Sequence, residues 1–146
     1  MGRMKYLLDT NICVHLFRDK YNVDKFIDAV GIEHCAISEI TVAELKFGQI
    51  YGKLKGGPKY KEQQMSDFLH SITVYAIAPV IDTFAKEKAR LRMEGKKVDN
   101  FDLLIGCTAI AHKLTMVTEN VKDFEPIKGI KNQVTNKRKE TKKQNK

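Results

Sequence analysis

Short apolar runs alternate along this chain with longer segments in which apolar residues recur every three or four positions. The first kind reads as buried strand and the second as amphipathic helix. Strands are expected at 5–8, 35–37, 73–78 and 115–118, with an edge strand at 130–134. Helices are expected at 11–17, 24–30, 41–51, 61–71, 82–94 and 101–114. Gly31, Gly52 and Gly95 stand where three of them should stop, and Gly56-Gly57-Pro58 marks a clear break. The segment 101–114 has few polar residues, so it is expected to pack in the middle of the domain. Strands alternating with helices imply an α/β fold with a parallel sheet covered on both faces. Right-handed crossovers then align the carboxyl ends of the strands along one edge.

That edge is where open α/β sheets place their sites. The first apolar run stops abruptly there, in Leu7-Leu8-Asp9-Thr10-Asn11. Glu44 and Asp102 fall in the first turns of two predicted helices, and Thr118-Glu119-Asn120 follows the fourth strand. Each acid has a local explanation. Asp9 could cap the helix that follows it. Thr41-Val42-Ala43-Glu44 fits a capping box, with the glutamate reaching back to the Thr41 N–H. Asp99 or Asn100 could cap the next helix, with Asp102 favouring its dipole. Capping does not explain why acids recur at comparable positions, and convergent carboxylates point to a site for a hard cation. Asp102 also opens one of the most apolar stretches of the chain, Leu103-Leu104-Ile105-Gly106-Cys107. Asp99, Glu119 and Asp123 read as solvated, and Asn120 as a neutral ligand or a turn residue.

At 146 residues, 42% hydrophobic and 30% charged, the chain has the length and composition of one soluble domain. No apolar run approaches a membrane span, and the N-terminus resembles neither a secretory signal nor a myristoylation site, so a cytoplasmic location is expected. Cys13, Cys35 and Cys107 are odd in number and widely spaced, which excludes a disulfide framework and a zinc motif and predicts buried thiols. The net charge of +8 is unevenly placed. Seven basic residues against one acid in 131–146 leave +6 there. The domain is therefore expected over 1–134, with 135–146 as a basic tail that either solubilises the chain or binds a polyphosphate. Arg18, Lys20, Lys46 and the loop 53–61 supply further positive charge.

Taken in order, four motifs resemble the PIN-domain nucleases, and within them the VapC-type toxins of toxin–antitoxin pairs. They are Leu7-Leu8-Asp9-Thr10-Asn11; Ile40-Thr41-Val42-Ala43-Glu44-Leu45-Lys46-Phe47-Gly48; Asn100-Phe101-Asp102-Leu103-Leu104-Ile105-Gly106-Cys107; and Val117-Thr118-Glu119-Asn120-Val121-Lys122-Asp123-Phe124. The resemblance covers roughly residues 4–134. It implies a three-layer α/β/α fold with a mainly parallel sheet of four to five strands. It makes Asp9, Glu44 and Asp102 the catalytic, metal-binding acids, with Asn11, Thr118 and Asn120 orienting ligands or a phosphate. Many members carry a fourth acid where this chain has Asn120, a loss for which Glu119 or Asp123 could partly compensate. The implied cofactor is Mg²⁺ or Mn²⁺. The implied activity is cleavage of RNA phosphodiesters by metal-activated water, leaving 5′-phosphate and 3′-hydroxyl ends. The implied partners are RNA, a cognate antitoxin and a second copy of the chain. A housekeeping RNA-processing nuclease is the alternative within the family. Outside it stand a receiver-like domain, disfavoured because Asp9 has no neighbouring acid, and a non-catalytic RNA-binding relic, disfavoured because the three acids are intact.

Overall fold

The computed structural model describes residues 3–57 and 60–135. Beyond Thr135 the basic tail lies outside the described residues, as do Pro58 and Lys59 of the basic loop. Five strands, β1 (Tyr6–Leu8), β2 (Cys35–Ser38), β3 (Thr73–Tyr75), β4 (Thr115–Val117) and β5 (Asn132–Gln133), form one sheet in the order β3-β2-β1-β4-β5. Every pairing is parallel. Seven helices surround it: α1 (Thr10–Phe17), α2 (Val23–Val30), α3 (Glu39–Leu54), α4 (Glu62–Ser71), α5 (Ile81–Met93), α6 (Asn100–His112) and α7 (Val121–Phe124).

The period-2 alternation of the strands creates the two cores. Leu7 pairs with Ala36 and Met116 in the sheet, and all three face the core formed with Val80, Leu91, Leu103 and Phe124. Leu8, Ile37 and Val117 face the opposite core, with Ile12, Phe17, Val23 and Phe68. Helices α1, α2 and α4 thus cover one face, and α5, α6 and α7 the other. The expected three-layer architecture is present, with all five strands and every one of them parallel. Buried on its sheet side and flanked by neighbours, α6 sits centrally as its composition predicts, with Leu103, Ile105, Gly106, Cys107, Thr108 and Ala109 all buried. A side chain at Gly106 would collide with Ile127, so the glycine lets the chain after α7 lie close against α6.

Several boundaries differ from the sequence reading. Helix α3 begins at Glu39, capped by the Ser38 hydroxyl, which accepts from the Ile40 N–H at 3.0 Å. Thr41 is therefore inside the helix, and the capping box expected for Thr41 and Glu44 does not form. The helix also runs through Gly52 to Leu54, because Gly52 is buried and its packing outweighs its weak helix propensity, about 1 kcal/mol relative to alanine. Strand β3 is shorter than expected and gives way to a single 3-10 turn at Ala78–Val80. Helix α7 has no counterpart in the predicted elements.

Ser38 is fully buried, so its role is testable. Ser38→Ala should cost about 1 kcal/mol of stability, read as a lower midpoint in urea with an unchanged slope. No helix of the described residues is long and apolar enough to cross a membrane.

Candidate active site

The strand order changes direction about β1: the first crossover leads to β2 on one side, and the later one to β4 on the other. Asp9 follows β1 directly at this switch point. It caps α1, with one carboxylate oxygen accepting from the Thr10 N–H at 2.7 Å. The other oxygen accepts from the hydroxyl of Thr118, just past β4, at 2.9 Å. Thr118 is itself held by accepting from the Asn120 N–H at 2.9 Å. Asp9 is only 5% exposed. Burial pushes its pKa up to about 6; the hydrogen bonds from Thr118 and Thr10 oppose this, while the charges of Glu44 and Asp123 add to it.

Glu44 projects from the second turn of α3, which starts where β2 ends. The Thr10 hydroxyl donates to its Oε1 at 2.6 Å and shares a second hydrogen bond of 3.1 Å with the buried Thr41 hydroxyl. Thr10 thus ties the Asp9 cap to the Glu44 carboxylate. Asp102 sits in the first turn of α6, whose N-cap is Asp99; the Asp99 carboxylate accepts from the N–H groups of Phe101 and Asp102. Half-buried, Asp102 has its pKa raised to about 7 by burial first, then by the charges of Asp9, Asp99, Asp123 and Glu44.

Asp9, Glu44 and Asp102 therefore converge at one edge of the sheet. Acids raise the pKa of both: Glu44 and Asp123 act on Asp9, and Asp9, Asp99, Asp123 and Glu44 on Asp102. The lysine and arginine ion pairs of the described residues, Lys53–Glu62, Arg90–Glu87, Arg90–Glu94 and Lys96–Glu94, lie elsewhere. As arranged, no three Asp, Glu, His or Cys side chains among the described residues stand at metal-ligand spacing. The donor chemistry nonetheless fits a hard cation: the groups are all carboxylates, the charge of Glu44 adds to the raised pKa values of Asp9 and Asp102, and none of the three makes an ion pair among the described residues. Asp9, Glu44 and Asp102 are the residues that could hold such an ion.

Of the three polar residues named beside the acids, Thr118 hydrogen-bonds Asp9. Asn11 and Asn120 are exposed, and among the described residues neither hydrogen-bonds these acids through its side chain. Asn120 instead caps α7 through its backbone, its carbonyl accepting from the Asp123 N–H at 3.0 Å. That short helix carries Asp123, which is exposed as expected yet close enough to raise the pKa of both Asp9 and Asp102. Glu119 is not solvated; it is half-buried and accepts from the Thr135 hydroxyl at 2.7 Å. One contributor escaped the sequence reading: Thr10 was visible only as a polar neighbour of Asp9. Asp123 reads from sequence as solvated, with a partial substitute for the fourth acid as the alternative.

The Thr10 bridge predicts a separable effect. Thr10→Val should free the Glu44 carboxylate and lower the activity about tenfold, the size of one lost charge-assisted hydrogen bond. The Asp9 cap, which uses the Thr10 backbone, should survive, so the melting temperature should change little.

All three cysteines are buried, as predicted. Burial pushes the Cys35 and Cys107 thiols up to about 11 and about 12, so neither is a nucleophile at neutral pH.

The model of the PIN domain family matches residues 6–129. Ribonuclease VapC2 of Rickettsia felis is 32% identical over 131 residues, which span 87% of this chain and 95% of that relative. The tRNA(fMet)-specific endonuclease VapC of Salmonella typhimurium is 30% identical over 131 residues, spanning 88% of this chain and 96% of that one. Among solved structures, VapBC2 from Rickettsia felis bound to a promoter DNA fragment superposes with a TM-score of 0.74 at 27% identity, covering 90% of this chain and 98% of that chain. With its sheet order, its acids gathered at one edge of the sheet and these relatives, the chain belongs to the PIN-domain family and, within it, to the VapC-type ribonucleases.

Proposed function

We propose that this chain is an endoribonuclease toxin whose activity depends on a divalent cation, Mg²⁺ or Mn²⁺, and which a cognate antitoxin restrains. The observation that carries the reading is the cluster of Asp9, Glu44 and Asp102 at the switch point of the sheet, none of which makes an ion pair among the described residues. When bound, the cation supplies positive charge that acidifies a water and stabilises the developing charge on the phosphoryl oxygens. The chain's own residues do the positioning. Thr118 and the Thr10 N–H each engage one oxygen of Asp9, which fixes the plane of its carboxylate. The Thr10 hydroxyl does the same for one oxygen of Glu44. Asp102, half-exposed, stands at the mouth of a buried helix. Water rather than the ribose 2′-hydroxyl is the nucleophile, so the products carry 5′-phosphate and 3′-hydroxyl ends.

A protein partner is supported by an apolar stripe on α3. Phe47, Ile50, Tyr51 and Leu54 follow helical spacing, and Phe47 and Leu54 are 66% and 80% exposed. An antitoxin segment or a second copy of the chain would cover it. A toxin is favoured over a housekeeping enzyme on this ground, since a free-standing nuclease has no need of such a surface.

The test is to incubate purified, antitoxin-free protein with total RNA and with tRNA, in Mg²⁺, in Mn²⁺ and in EDTA. Cleavage with either cation, lost in EDTA and giving 5′-phosphate ends, is the expected result. Cleavage undiminished by EDTA, or ends carrying a 2′,3′-cyclic phosphate, would overturn the reading.

A further inference from the structure

An acidic centre repels the RNA it is to cut, so positive charge must lie beside it. We propose that a cationic pocket between α5 and α6 binds the phosphodiester backbone of single-stranded RNA next to the phosphate that is cleaved. This rests on the ribonuclease reading above and adds to it a binding site.

The pocket has a volume of about 480 Å³ and lies between the second half of α5, the turn at Gly95 and the start of α6. Lys88, Arg92, Lys96 and Lys97 line it, with Asp99 the single acid and Asn100 beside it. That volume is within the range of small-ligand sites, enough for a nucleotide-sized portion of a strand.

Three observations set this cluster apart from an ordinary solvated face. First, its charges are left largely uncompensated where those on a neighbouring part of the same helix are not. Arg90 pairs with Glu87 and Glu94, each at 2.6 Å. Arg92 and Lys97 make no side-chain hydrogen bond or ion pair among the described residues, and Lys96 reaches only the exposed Glu94, at 3.3 Å. Second, Lys88 and Arg92 are four residues apart on α5, a spacing at which like charges destabilise a helix. A face that serves only solubility would interleave acids there. Third, the pocket adjoins the start of α6, the helix that carries Asp102. Lys88 donates to Asn100 Oδ1 at 2.8 Å, and Asp99, which shares the pocket, accepts from the Asp102 N–H. The cations of α5 and the turn after it thus lie beside the first turn of α6, which carries Asp102.

The chemistry selects a phosphodiester over an acidic peptide. A peptide carboxylate would bind the lysines but gain nothing from the acids next to them. A strand of RNA laid in the pocket brings its next phosphate toward Asp102, where the cleavage chemistry is needed. Basic grooves that track the backbone of single-stranded nucleic acid work in this way and tolerate any sequence.

The test measures binding apart from cleavage. The full chain carrying Asp9→Asn is titrated into a fluorescently labelled single-stranded RNA oligonucleotide over a range of salt. Adding Arg92→Ala and Lys97→Ala should weaken binding about ten- to a hundredfold, for two lost charged contacts. The slope of log affinity against log salt should fall by about 1.4, at about 0.7 per phosphate contact. The charge-keeping pair Arg92→Lys and Lys97→Arg should retain the parent's salt slope and most of its affinity. Affinity and slope unchanged by the alanine pair would overturn the inference. So would an equal loss in the charge-keeping pair, which would point to packing. Binding of a polyglutamate peptide lost while RNA binding persists would make the pocket a protein-docking site and equally overturn it. Cleavage by the chain with Asp9 intact is followed in parallel. Its absence would count against the nuclease reading, while the binding measurement still decides the pocket.

Discussion

Asp9→Asn should lower RNA cleavage by about a thousandfold, the scale of removing a principal electrostatic element from a reaction centre. The fold should remain. Asn keeps an oxygen able to accept from Thr10 or Thr118, and it removes a charge that the native site holds at a cost. The direction follows from linkage. The folded pKa of Asp9, about 6, lies above the ordinary aspartate value of 3.8. Its contribution to stability is thus full below about pH 4 and is lost as the pH rises through about 6. At pH 7 the cation-free protein carries a penalty of up to about 3 kcal/mol from the displaced titration. The asparagine variant escapes it, less whatever its weaker hydrogen bonds give up. A melting temperature at pH 7 equal to or above that of the parent, together with lost cleavage, is the expected pair of results. A variant that melts well below the parent would mean that Asp9 is chiefly structural.

The second large effect couples cation, pH and stability. Asp9 and Asp102 both have raised pKa values, about 6 and about 7, because burial and neighbouring acids disfavour their charged forms. A cation needs both deprotonated. At limiting Mg²⁺, cleavage should therefore climb steeply between pH 5 and 7 and level off above about pH 8. Without cation, stability should fall over the same range as the acids ionise against one another. Mn²⁺ at a hundredfold excess over its Kd should add about 2.7 kcal/mol. In a chain of this size that is roughly 8 °C in melting temperature. The same addition at pH 5 should do little. An Mn²⁺ effect as large at pH 5 as at pH 8 would place the cation on groups other than these acids.

Most of the architecture was legible because it depends on local patterning. Alternation in Leu7 and Leu8, Ala36 and Ile37, Met116 and Val117 specifies a sheet buried on both faces, and that determines where Asp9 emerges. The ordered motifs around Asp9, Glu44 and Asp102 pointed to one sheet edge and to the family. What the sequence did not reveal depends on partners distant along the chain. The capping box at Thr41 and Glu44 satisfies a local rule, but Ser38 is already there to cap α3, and Glu44 finds Thr10, 34 residues away. Asp123 reads as solvated because nothing near it in sequence shows that α7 returns it toward β1. The basic residues singled out from sequence were Arg18, Lys20, Lys46, the loop 53–61 and the tail. The cluster of Lys88, Arg92, Lys96 and Lys97 was hidden, since 82–94 looks like any charged amphipathic helix until α6 is packed against it.

The cation-binding role of the acid cluster is tested most directly by isothermal titration of Mn²⁺ into the metal-free protein at pH 7.5, set beside the Asp102→Asn variant. Saturable uptake by the parent, weakened at least about tenfold in the variant while its melting temperature holds, is the predicted result. No uptake by the parent, or equal uptake by both proteins, would contradict it.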